Sequence, residues 1–149
     1  MSSRGFTLVE LMVVMAIGGV LAILGAPTLV TYVRTSALQA GARELATVIN
    51  LGRQLAITQN TAVCVEVSGG IIRLRKGGCG GTIWTGPGTD GTGVIKISES
   101  SGLRISTAAN VVFTALGAAS PAGTFTVTHP VDGGTRTVVV AATGRVSVR

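Results

Sequence analysis

The stretch GFTLVELMVVMAIGGVLA, residues 5–22, decides how this chain is built. It leads into a run over residues 11–33 of 23 residues without a formal charge, more than the roughly 20 needed to cross a bilayer as a helix. A secretory signal has a shorter apolar core, about 7–15 residues, with a small-residue cleavage site behind it. Here the one candidate cleavage site, Arg4-Gly5, comes before the run. A carboxylate, Glu10, stands at the head of the span. An acid in a membrane helix costs on the order of 2.5–3.5 kcal/mol on insertion scales, so Glu10 calls for a cation and a function.

The order Gly5, Phe6, Thr7, Leu8, Val9, Glu10 resembles the leader junction of type IV prepilins and of the pseudopilins of type II secretion. The resemblance implies that a prepilin peptidase cuts after Gly5 on the cytoplasmic side and that Phe6 is then N-methylated. It also implies that Glu10 meets the N-terminal amine of a neighbouring subunit as a filament assembles. Such a protein is a single-pass inner-membrane subunit with its C-terminal domain in the periplasm, and it enters a pilus or pseudopilus with other pilin or pseudopilin subunits. Pro27 matches a helix-interrupting proline common in pilins. On this division residues 1–5 are the leader, 6–33 the membrane and filament-core helix, and 34–149 the globular domain. Gly18, Ala22 and Ala26, four residues apart, let helices approach closely, which suits a filament core and any other apolar helix equally.

The 149 residues leave room for one modest domain beside the span. Only five residues are aromatic, so the core must be mainly aliphatic. Twelve Lys and Arg against six Asp and Glu give +6, ten of the twelve being arginine. A basic exported domain points to a polyanionic partner or merely to a soluble basic surface. In an oxidising compartment Cys64 and Cys79 are expected to pair, closing a loop worth about 3 kcal/mol in the chain-entropy model. Zinc is the weaker alternative, since only His129 could join them as a strong nitrogen ligand.

Leu38, Ala42, Leu45, Val48, Ile49, Leu55 and Ala56 recur with polar residues interspersed, predicting an amphipathic helix over 34–59 that continues the span as one kinked helix of about 80 Å. Over 60–149 the period changes to that of strands. A hairpin is expected from TAVCVEV and IIRLRK, with further strands at 94–98, 103–106, 110–116, 124–129, 135–142 and 144–149. The glycine-rich connection 77–93 holds Cys79 and Trp84 near the sheet and otherwise reads as mobile. The expected fold is α+β: a long N-terminal helix packed on antiparallel sheets.

Enzyme chemistry finds no support. No nucleophile-elbow, metalloprotease or P-loop pattern occurs, and neither a cofactor nor a metal is expected. Gly86, Gly88 and Gly91 satisfy G-x-G-x-x-G, but Pro87 interrupts them and a β-like segment follows where a dinucleotide loop needs a helix. The motif reads as a turn. Asp90 alone is too little for calcium, and His129 reads as an ordinary surface or turn residue.

The closing segment 111–149 resembles that of the GspH/FimT family, in which an F-x-x-x-G segment precedes two strands and the chain closes on T-G-R. Phe113, Gly117, Thr143, Gly144 and Arg145 fit. In FimT-like minor pilins of natural transformation the closing G-R-x-R arginines contact DNA. Here Ser147 occupies the second arginine position and Arg149 follows two residues later. Strand alternation puts Arg145, Ser147 and Arg149 on one face, with the guanidiniums expected about 7 Å apart. Arg136 and Arg104 are candidates to extend the patch. Two readings follow: a minor pilin that binds extracellular double-stranded DNA through these arginines, and a GspH-like minor pseudopilin with a structural role in a type II secretion pseudopilus.

Overall fold

The computed structural model describes residues 5–68, 70–97 and 102–149, with the side chains of 24–27 left aside. The leader residues 1–4, the end of the 94–98 strand expectation, and the side chains of Ala26 and Pro27 lie outside that description. The chain forms two compact units, Met1–Thr35 and Ser36–Arg149.

One helix, α1, runs Leu8–Thr58. Position 27 is helical, so Pro27 does not end it. In the first unit its described large apolar side chains, from Leu8 to Ile23 and from Leu29 to Val33, are exposed, and the most hydrophobic stretch has a mean hydropathy of 2.4 with none of it buried within the chain. A continuous apolar surface of this extent marks a membrane or subunit contact.

In the second unit the α1 residues Leu38, Ala42, Leu45, Val48, Ile49 and Ala56 are buried. Their spacing is the helical stripe expected from the sequence. The two isolated glycines of this half lie where sheet side chains come in: a Cβ on Gly41 would strike Leu103 Cδ1, and one on Gly52 would sit 3.1 Å from both Leu74 Cδ2 and Val65 Cγ2. The helix stops at Asn60, whose φ is +48°. Thr61 N–H donates to Ala56 O and Asn60 N–H to Ile57 O, the paired 6→1 and 5→2 bonds of a Schellman motif.

Two antiparallel sheets follow. The first has the order β3 (Thr82–Ile83), β2 (Ile71–Lys76), β1 (Val63–Ser68), β6 (Val111–Phe113), with β4 (Val94–Ile95) also paired to β2. The second has the order β5 (Arg104–Thr107), β7 (Gly123–Thr128), β8 (Thr135–Val140), β9 (Val146–Val148). Alternation places Val63, Val65, Ile72, Leu74, Val111 and Phe113 of the first sheet, and Ile105, Phe125, Val127, Val138 and Val140 of the second, in one core with the helix stripe.

The 77–93 connection is folded, contrary to the mobility expected of it. Its residues Thr82 and Ile83 pair with Lys76 and Arg75. Trp84, 8% exposed, donates its N–H to Leu74 O. The Trp84 ring lies against Gly86, where a Cβ would collide with it. A buried indole and a short strand supply what glycine content alone did not reveal.

Candidate functional site

At the start of α1, Thr7 Oγ1 accepts the Glu10 N–H at 3.3 Å, and Leu11 N–H donates to Thr7 O at 3.2 Å. Thr7 is therefore the N-cap and Glu10 the N3 residue, the T-x-x-E pattern of a capping box. An acid in the first turn also complements the helix dipole. Glu10 and Phe6 are both exposed. The local role of Glu10 was readable from Thr7 three residues before it, a signal the span had overshadowed.

At the other end of the chain β9 pairs with β8 so that Val138 faces Val148, Val139 faces Ser147 and Val140 faces Val146. Thr137 and Arg149 exchange both backbone bonds, and Ala141 N–H donates to Arg145 O. Arg145, Ser147 and Arg149 thus share the face of the sheet turned away from the core. The two arginines are farther apart than expected. Four residues of strand span about 13 Å, whereas 7 Å is the spacing of Arg145 to Ser147.

Register settles the two further candidates in opposite ways. Arg104 pairs with Thr128, and Thr128 with Thr135, which lies on the Thr137 face. Arg104 is therefore on the same outer face as Arg145 and Arg149. Arg136 pairs with Val127, a core residue, so it projects from the other face at the strand's end. Arg136 does not extend the patch: within β8 the outer face takes Thr135, Thr137 and Val139, and Arg136 alternates with them. Arg104, Arg136, Arg145 and Arg149 are all exposed. The four strands β5, β7, β8 and β9 contain no Asp or Glu.

What fixes the β9 strand is a backbone contact. Gly117 and Gly144 have φ of +79° and +80°. A Cβ on Gly144 would run into Gly117 O, and Arg53, from α1, donates Nε–H to that same oxygen at 2.9 Å. Arg53 carried no local signal in the sequence, since its acceptor lies 64 positions away.

Residues 41–144 match the family described as Type II transport protein GspH, and residues 1–26 match the prokaryotic N-terminal methylation motif. The chain belongs to the GspH family. Among solved structures it is similar to the type IV minor pilin FimU of Pseudomonas aeruginosa (TM-score 0.56, 19% identity, covering 79% of this chain and 92% of that one). It is also similar to the minor pseudopilin EpsH from the type 2 secretion system of Vibrio cholerae (TM-score 0.55, 12% identity, 75% and 95% covered). No curated protein sequence matches it. At these identities the likeness carries the fold, a long helix on antiparallel sheets, and nothing finer.

As a GspH-family chain, its closing signature divides into parts with different work. Gly117 and Gly144 are required by backbone conformation and by their mutual approach, whereas Arg145 beside them is free to face outward. The other candidates are structural. Cys64, fully buried, is joined to Cys79 with a Cα–Cα distance of 4.9 Å. Gly86 and Thr89 close the GPGTDG turn on each other by three hydrogen bonds. Asp90 Oδ1 accepts from Thr92 Oγ1 at 2.7 Å, Val94 N–H at 2.8 Å and Thr92 N–H at 2.9 Å. The Thr92 hydroxyl bond, ahead of the Val94 amide, holds its carboxyl below the usual aspartate value. His129 lies in the β7–β8 turn, as expected, but is 7% exposed rather than a surface residue, with Nδ1 2.9 Å from Asp132 Oδ1. The turn folds the ring inward onto its own acid. Among the described residues no group of three His, Cys, Asp or Glu could hold a metal ion.

Proposed function

We propose that this protein is a minor pilin of a type IV pilus that is inserted in the inner membrane, processed after Gly5, methylated on Phe6 and assembled through α1. Its exposed arginine face on the second sheet then binds extracellular double-stranded DNA for natural transformation. Membership of the GspH family supports a structural subunit of the pilin or pseudopilin type. Its partners are other such subunits. Support for processing comes from the methylation motif over residues 1–26 and the unburied apolar face of the helix. In this reading the C-terminal domain lies in the periplasm before assembly, and Glu10 pairs with the new N-terminal amine of a neighbour.

One observation carries the DNA reading: Arg104, Arg145 and Arg149 share an exposed face whose strands bear no acid. Guanidiniums suit phosphate oxygens, and no aromatic side chain on that face offers a base a stacking surface, so binding is backbone-directed and insensitive to sequence. The test is a titration of the full chain, in neutral detergent, with labelled duplex DNA at two salt concentrations. Binding in the roughly 10⁻⁴ to 10⁻⁶ M range is expected, and Arg145→Ala with Arg149→Ala should flatten the log–log salt slope by about two contacts, each worth about 0.9. If wild type and double variant bind alike, the second reading stands: a structural minor pseudopilin of a type II secretion system, which the family's description favours.

A further inference from the structure

The outer face of the second sheet carries more than its arginines. Pairing lays its side chains out in rows. One row is Arg104, Thr128 and Thr135. The next is Ser106, Thr126 and Thr137, closed by Arg149 through its backbone pair with Thr137. Five hydroxyls therefore fill the space between two arginines at opposite edges of the sheet. With strands about 4.8 Å apart and a two-residue offset along them, the Arg104 and Arg149 Cα atoms lie roughly 16 Å apart. Arg104, Ser106 and Thr128 also line an open groove of about 470 Å³ with Ile105 and with Gly70 of the β1–β2 turn.

We infer that this hydroxyl grid, with Arg104 and Arg149 at its ends, is the track on which a nucleic-acid phosphodiester backbone lies, Arg104 and its groove holding one phosphate and Arg149 another. The inference rests on the DNA reading above and goes further by assigning the path and the five hydroxyls that line it between Arg104 and Arg149. Serine and threonine hydroxyls donate to phosphate and sugar oxygens, fixing position without reading sequence. The guanidinium ends supply the charge and the forked geometry. Phosphates recur about every 3.4 Å of helix axis along one strand, so ends about 16 Å apart can meet two phosphates a few nucleotides apart on that strand while the hydroxyls face the backbone between them. A patch meant for a lipid surface needs neither the ordered hydroxyl rows nor the cleft at one edge.

The test compares Arg104→Ala with Arg136→Ala in the full chain in neutral detergent, using a labelled 30-base-pair duplex at two salt concentrations. Both remove one positive charge, so overall charge is matched. Arg104→Ala should flatten the salt slope by about 0.9 and weaken binding about eightfold at 0.1 M salt, counting one lost phosphate contact. Arg136→Ala should do neither. Thr126→Val with Thr137→Val keeps shape and charge, and should weaken binding with the slope unchanged. Circular dichroism confirms that each variant is folded. If Arg104→Ala behaves as Arg136→Ala while Arg145→Ala with Arg149→Ala flattens the slope, the track is wrong and the terminal arginines act alone. Should neither set have an effect, the DNA reading falls as well. Arg104-dependent binding to anionic phosphatidylglycerol vesicles without Arg104-dependent binding to DNA would also overturn it.

Discussion

Gly144→Ala should unfold the second unit far more easily than an ordinary glycine replacement. A side chain at φ +80° costs about 1–2 kcal/mol in the left-handed region. That cost is shared by Gly133, whose φ is +66° and around which a Cβ would meet nothing within 4 Å. At Gly144 the added carbon also meets the Gly117 carbonyl, so the two backbones must separate, and the oxygen moves away from Arg53. Losing a hydrogen bond to a charged donor costs about 1.5–3 kcal/mol more. Gly133→Ala is then expected to cost about 1–2 kcal/mol and Gly144→Ala about 2.5–5. For a folded unit of about 110 residues, 1 kcal/mol corresponds to roughly 4 °C in Tm. The expected losses are about 4–8 °C and about 10–20 °C. Both changes restrict the unfolded chain equally, so their difference isolates the contact. Heating the full chain in neutral detergent while following fluorescence of Trp84, the one tryptophan and a core residue, measures it. If the two variants melt within about 4 °C of each other, Gly144 is merely a turn glycine and does not hold β9.

Replacing Cys64 and Cys79 together by Ala should cost about 3 kcal/mol in the same melt, and thiol labelling of denatured, unreduced wild type should find no free cysteine. Mass spectrometry of protein recovered from membranes should show a chain starting at methylated Phe6; a start at Met1 or after Ala26 would rule out prepilin processing. Asp90 contributes to its turn fully above the ordinary aspartate pKa, near 3.9, and loses that contribution as acid takes the carboxyl through its lowered value. Protection of the Thr92 and Val94 amides, relative to their intrinsic exchange rates, should therefore fall only below the ordinary aspartate pKa, and Asp90→Asn should remove that fall. Glu10→Gln should insert in the membrane yet be depleted from sheared filaments.

Much of the fold was legible because it rests on period. Leu38, Ala42, Leu45 and Ile49 announce their helix face, and Val63, Val65, Ile72 and Leu74 their sheet face, because burial selects one side of each element. The end of the helix was legible too, in the polar run after Ile57. What escaped was set by contacts distant in sequence. Nothing local distinguishes Arg53 from the other polar residues of its helix, and its acceptor belongs to a loop after β6. Thr82 and Ile83 pass for loop until β2 lies beside them. For the candidate site, alternation placed Arg145 and Arg149 on one face correctly, but it cannot relate strands of unknown register. Hence Arg104 and Arg136 looked alike in sequence, and only the pairing with Thr128 and Val127 sends them to opposite sides.

At Glu10 the structure turns one question into two. The carboxylate that seemed to need a neighbour's amine also stands at N3 of its own helix, behind the Thr7 cap. A capping role and an assembly role make different demands. The cap asks for a hydrogen-bonding side chain, and glutamine serves there as well as glutamate. Pairing with an ammonium asks for the charge itself, and in a low-dielectric filament core a neutral amide would leave that cation unmatched. Glu10→Gln therefore keeps the first demand and removes the second. Thr7→Val does the reverse, taking away the hydroxyl that caps the helix while leaving the carboxylate. If assembly depends on charge, Thr7→Val should enter sheared filaments at near wild-type levels while Glu10→Gln is depleted. Should Thr7→Val be the depleted variant and Glu10→Gln normal, the glutamate serves to start the helix, and the cation that the apolar span seemed to require is not part of its work.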